Sequence, residues 1–410
     1  MQSDVYSRST MKRLSWVLLA VVTGLSINQA HAQWTGYIAG EMRAFGKDGI
    51  AGQDKAGLSI ALQPEYYGEV SNNLSFNFIP FARVDSMDDE RTHYDIRELS
   101  FTQVAKKFEL RAGIKKVFWG VTESVHLVDI INQTDAVESL DREEKLGQPM
   151  VNLSVPRDWG TVDLFVLPYF RERTFPGEEG RLRTVLPVDK DKTLYESNDK
   201  QKHVDYALRY THTIDDWDIG LSYFQGTSRD PVFIPDSNAG NQPVLVPIYE
   251  QIKQTGLDVQ LVSGTWLWKL EAIYRTRLNK AAIGDKDYLA AAGGFEYTLV
   301  GVAETPLDLG IVCEYLYDDR GQQATTPFED DVFLGLRFNL NDMAGSEALL
   351  GMIQDAGSDA SMVSLEASRR LTGNWKANLE GYLFLNQTEK DLLYGLRNDD
   401  YIQLELVRYF

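Results

Sequence analysis

The chain has a single cysteine, Cys313, so no disulfide can close within it, and other forces must constrain the fold. Basic residues are in deficit, 41 Lys and Arg against 60 Asp and Glu, and a formal charge of −19 makes a poor surface for nucleic-acid phosphates. Histidine is scarce too: His31, His93, His126, His203 and His212 show no zinc-ligand spacing, and the chain has no CxxC, phosphate loop or nucleophile elbow. His212 with Ser222 is a chance-level pairing for a lipid-cleaving barrel, so no enzyme is expected. Long apolar runs are missing after Ala32, which excludes a spanning helix of about 20 residues. No Pro/Ser-rich linker or composition shift divides the chain, which reads as one domain.

One apolar run does occur, at residues 14–25 behind Lys12 and Arg13. It leads to Ala30-His31-Ala32, small residues placed as a secretory cleavage site wants them. Residues 1–32 are therefore expected to be a signal peptide, removed on export. They carry Asp4 against Arg8, Lys12 and Arg13, a net +2, so residues 33–410 fall from −19 to −21.

What the rest holds is alternation. In residues 400–410, Ile402, Leu404, Leu406 and Phe410 share one parity and Gln403 and Glu405 take the other, the signature of a strand with one apolar and one polar face. The pattern repeats from Trp34 onward over about eighteen strands, with sixteen as the alternative because 149–155 and 348–353 are weak. Short turns such as Ser71-Asn72-Asn73 and Ser263-Gly264 alternate with long polar loops. Only a closed barrel satisfies every backbone group across a bilayer without helices, and 20 Tyr, 18 Phe, 8 Trp and 32 Gly suit one. The expected fold is all-β: a single transmembrane antiparallel up-and-down β-barrel over 33–410. Phe76, Leu164, Leu270, Leu336 and Leu404 should face lipid. A soluble sandwich or propeller fits the alternation but not the one-sided loop lengths.

If the apolar parity meets lipid, the polar parity meets the lumen. That assigns Arg83, Glu98, Glu109, Arg111, Lys115, Arg171, Arg209, Lys269, Glu271, Arg275, Arg337, Glu366, Lys376, Glu380 and Glu405 to a pore lining of both signs. Such charges either select polar solutes or pair with one another and keep the lumen wet. The acidic clusters at 85–90 and 138–144 match no calcium-loop spacing and read as solvated loops, with no metal site.

Residues 119–148 break the rhythm. Val125, Leu127, Val128, Ile130 and Ile131 are too apolar for a solvated loop, so the segment should fold into the lumen and narrow it. Trp119, Glu123, His126, Asp129, Asn132 and Asp135 would then form the constriction, and deleting 127–132 would widen it. The alternative is an external loop packed on its neighbours.

The order Phe118-Trp119-Gly120, a hydrophobic stretch, Asp129-Ile130-Ile131-Asn132 and Asp135, then Gln148-Pro149-Met150, resembles a Gram-negative family of porin-like outer-membrane barrels of largely unassigned function. That family is loosely related to the alginate-export and phosphate-selective porins. The resemblance covers about fifty residues, 108 to 155, and implies a large barrel with this segment near the pore; it transfers no substrate. The sequence departs from the family at Asn132-Gln133, where Asn-Pro is usual. Lys115 and Lys116 are a pair and not the ladder that phosphate or alginate selectivity would need. The expectation is a passive outer-membrane channel for a small polar or amphipathic solute, without cofactors. Its partners would be outer-membrane lipid and lipopolysaccharide, with the barrel-assembly machinery. The second reading is an assembly barrel acting as a partner scaffold.

Overall fold

The two ends of the sheet hydrogen-bond to one another: Ala32–Phe45 runs antiparallel to Tyr401–Tyr409, with Tyr37 opposite Tyr409 and Phe45 opposite Tyr401. This seam closes an eighteen-stranded antiparallel barrel in which every other pairing joins chain neighbours, leaving no bare edge. The computed structural model describes residues 32–278, 287–324 and 326–410. The signal peptide expected at 1–32 lies outside them except for its last residue.

In chain order the barrel strands are Ala32–Phe45, Ala56–Ser71, Leu74–Asp85, His93–Val104, Glu109–Lys115, Gln148–Arg157, Gly160–Leu167, Asp205–Ile214 and Trp217–Thr227. They continue as Gln251–Ser263, Trp266–Arg277, Tyr288–Leu299, Asp308–Asp318, Asp330–Asn339, Glu347–Asp355, Ser361–Thr372, Trp375–Leu385 and Tyr401–Tyr409. The sixteen-strand alternative falls away because both weak strands, Gln148–Arg157 and Glu347–Asp355, pair on each side.

The outer face is apolar, as the alternation demands. Leu164, Leu270, Leu336 and Leu404 are between 38 % and 45 % exposed, and Phe76 sits half-buried between the rings of Tyr66 and Phe101. At the short-turn end Trp266, Trp268, Phe295 and Tyr297 form one aromatic patch, and Trp159 stacks on Tyr210. His212 shares the outer face with Tyr210 whereas Ser222 is buried inside, so the two cannot act together.

Three departures from simple alternation matter for the interior. The strand Gly160–Leu167 stops before Pro168, which cannot donate to the ladder. Phe170 thereby turns inward and is fully buried, where unbroken alternation would have put it outside. In His93–Val104 the register slips opposite Ile79 and Pro80, a bulge that turns Arg97 and Glu98 inward as neighbours. Finally, Val232–Ser237, Pro243–Tyr249 and Leu194–Tyr195 form a separate three-stranded sheet among the long loops. Pro235, Pro243 and Pro247 make that stretch read as loop.

Candidate functional site

Residues 116–147 leave the long-loop end of Glu109–Lys115 and fold back inside the barrel, and two wall carboxylates catch them. Glu271 Oε1 accepts the backbone N–H groups of Val121 at 2.7 Å and Thr122 at 3.0 Å and the Thr122 hydroxyl at 2.7 Å; its Oε2 accepts Val128 N–H at 3.1 Å. Glu314 takes the next two amides, Glu123 at 2.8 Å and Ser124 at 2.9 Å, and the Ser124 hydroxyl at 2.6 Å. The strand between these acids, Tyr288–Leu299, presents Ala290, Ala292 and Gly294 opposite them, small residues that leave room for the segment.

Gly120 makes this approach possible. Its φ of +150° is rare for residues with a side chain, and a Cβ there would lie 2.7 Å from His126 Nδ1 and 3.0 Å from Glu271 Oε1.

Packing supplies the rest of the attachment. Trp119, Val128, Ile130 and Ile131 insert among Phe165, Phe224, Ile252 and Ile273, which point into the barrel where polar residues would be expected. Each such side chain is worth about 1.5–3 kcal/mol in removed apolar area. The Asn132 amide then fixes the path of the chain, accepting Val117 N–H at 2.9 Å and donating to the carbonyls of Lys115 and Leu146.

The C-terminal half of the segment is held by ion pairs to the opposite wall. Arg97 binds Asp135 at 2.7 Å, and Arg83 bridges Glu138 and Glu41 at 2.9 and 3.0 Å. Arg91 binds Glu41 and Asp85, and His93 binds Glu138 at 2.7 Å. Burial alone would raise the Glu138 pKa, but His93, Arg83 and Arg91 reverse this and hold it at about 2. Asp85 and Glu138 are therefore not members of solvated loops. The basic partners of Glu138 lie 45 and 55 residues away in sequence, which is why its acidic run read as exposed.

Between these attachments the 139–144 tip borders, through Leu140, Asp141, Arg142 and Glu143, a cavity of about 530 Å³. His126 Nε2 meets Glu143 at 2.8 Å at this tip, and its Nδ1 stands 3.6 Å from Glu271. Burial would lower the His126 pKa; the two carboxylates outweigh it and raise it to about 10. Asp129, paired with Lys145 at 3.1 Å, also lines the cavity.

The expected constriction residues are thus divided. Glu123, His126, Asp129 and Asn132 line the cavity. Trp119 is packed in the wall beneath the Arg209 guanidinium, and Asp135 is fully buried against Arg97. Residues 127–132 are the packed part of the segment, not its free edge.

Of the expected lining residues, Arg275 and Glu366 border this cavity. Most of the others are paired elsewhere on the inner wall: Arg83 as above, Glu98 with Lys115, Glu109 with Arg111, Arg209 with Asp258. Arg171, beyond the end of its strand, pairs with Asp95, and Arg337 and Lys269 share Glu123. Glu271 is 0 % exposed, so it anchors the segment and borders no open space. Glu380 accepts from Tyr401, Glu405 from Asn378, and Lys376 is half-buried on the same face.

Sequence reasoning missed Glu314, Arg97 and Asp230, which gathers Arg173, Arg275 and Arg142. A lone acid between Val312 and Leu316 was the only signal for the first.

No family model matches the chain, and no curated protein is significantly similar to it. Solved structures do share its fold. It superposes on OccK11 (OpdR) of Pseudomonas aeruginosa with a TM-score of 0.52 at 11 % identity, over 92 % of this chain and 95 % of that one. A loop L8 deletion mutant of OmpT, an outer membrane protein of Vibrio cholerae, gives 0.46 at 10 % identity, over 93 % and 99 %. A mutant of Rh. blastica porin gives 0.43 at 13 % identity, over 93 % and 100 %.

Proposed function

We propose that the chain is a Gram-negative outer-membrane channel of the porin type, non-enzymatic, through which a small polar solute diffuses passively, with residues 119–148 narrowing the lumen. The observation that carries this reading is the tethered segment: Glu271 and Glu314 hold it against one wall while its 139–144 tip borders a cavity of about 530 Å³. A cavity bordered by charged side chains inside an apolar sleeve suits solute passage in a bilayer. On this reading the sleeve meets lipid and lipopolysaccharide, and the barrel-assembly machinery inserts the chain.

The scaffold reading draws on the apolar packing of the segment, which occupies part of the lumen. Planar-bilayer recordings of the purified chain separate the two. A channel gives stepwise conductance that grows when residues 139–144 are deleted. Absence of steps in both forms overturns the channel and favours the scaffold.

A further inference from the structure

Many charges on the inner wall are paired with a neighbour, and several that are not fully paired lie around one cavity. Asp230 is the shared acid of three guanidiniums: Arg173 at 2.8 Å, Arg275 at 3.3 Å and Arg142 at 3.7 Å. The last distance is too long for a hydrogen bond. Arg142 has no other ion pair among the described residues, and its side chain is 44 % exposed at the segment's tip. One carboxylate leaves this group with an excess of positive charge.

The opposite excess borders the same cavity. Glu366 lies directly across from Glu380 on paired strands, a like-charge pair that repels. Neither makes an ion pair among the described residues. Arg43, on the strand beyond Gln403, is engaged by Gln403 and Glu41. Asp141, which also lines the cavity, is hydrogen-bonded by Ser139 and the Glu143 amide and, among the described residues, by no cation.

We propose that the solute admitted here is a small zwitterion, its anionic end at Arg142 and its cationic end at Glu366; this rests on the channel reading above. A simple anion gains from the first pole and is repelled by the second, a simple cation meets the reverse, and a neutral solute gains from neither. A zwitterion aligned between them supplies the missing partner at both ends.

The test is flux into liposomes carrying the full chain, using three probes of similar size and permanent charge: a trimethylammonium propanesulfonate zwitterion, propanesulfonate and propyltrimethylammonium. The expected result is entry of the zwitterion about tenfold faster than either ion. Arg142→Gln should shift the preference toward the cation and Glu366→Gln toward the anion. Equal rates for all three in vesicles that conduct salt overturn the zwitterion proposal and leave the channel standing. Vesicles that pass neither salt nor probe overturn both. Unchanged preference in both variants, with zwitterion selectivity intact, overturns the assignment of the two poles.

Discussion

The arm and the tip of the inward segment differ in how they are held. The arm from Gly120 to Ile131 has its amides in the grip of two buried carboxylates and its apolar side chains sunk in the wall. The tip at 139–144 has His126 against Glu143, Lys116 against Glu144 at 3.8 Å and a long contact from Arg142 to Asp230. The arm is buried and amide-anchored, whereas the tip is held by lighter contacts, among them Leu140 against the cluster around Phe45, Tyr382 and Tyr401.

The sharpest way to break this contrast is Glu271→Ala. It leaves the amides of Val121, Thr122 and Val128 without their acceptor in a buried place, at a cost of about 4 kcal/mol. Limited proteolysis of the reconstituted barrel should then cut within 119–148; continued resistance would refute the anchoring role. Next comes Gly120→Ala, where positive φ and the close contacts with His126 and Glu271 add strain of about 2 kcal/mol. The same proteolysis assay should show partial release, and a variant as resistant as the parent would show that the site accommodates a side chain.

A smaller effect is expected from pH. Because His126 is raised to about 10 in the folded chain, its tether is fully present below the ordinary imidazole value near 6.5 and is lost as pH rises through about 10. Cleavage near the tip should increase between pH 7 and 10 in the parent and stay flat in His126→Gln. Deleting 139–144 should have the least effect on unfolding, about 1 kcal/mol, measured by urea titration. A larger loss would mean that the tip is structural after all.

The barrel was legible because an environment with two faces imposes period two on almost every strand, so Leu404 and Glu405 declare their sides without help from the rest of the chain. The inward segment was legible from Val128, Ile130 and Ile131, which no solvated loop would carry in a row. What holds it was not. Glu314 is the only acid among Val312 and Leu316, and its partners are amides about 190 residues away. Arg97 escaped because a bulge sets two adjacent residues on one face, which alternation forbids. Expected lining residues such as Glu271 and Arg209 do point inward, but periodicity gives only a side of the sheet. It does not tell whether that side meets water, a buried amide or another charge.

Single-channel recording of a Glu271→Ala, Glu314→Ala double variant beside the parent chain tests the central claim most directly, since it removes the acceptors of the arm's amides. Larger or flickering conductance steps are the predicted result. Steps of the parent's size and stability would contradict the claim that these two carboxylates hold the segment where it restricts the lumen.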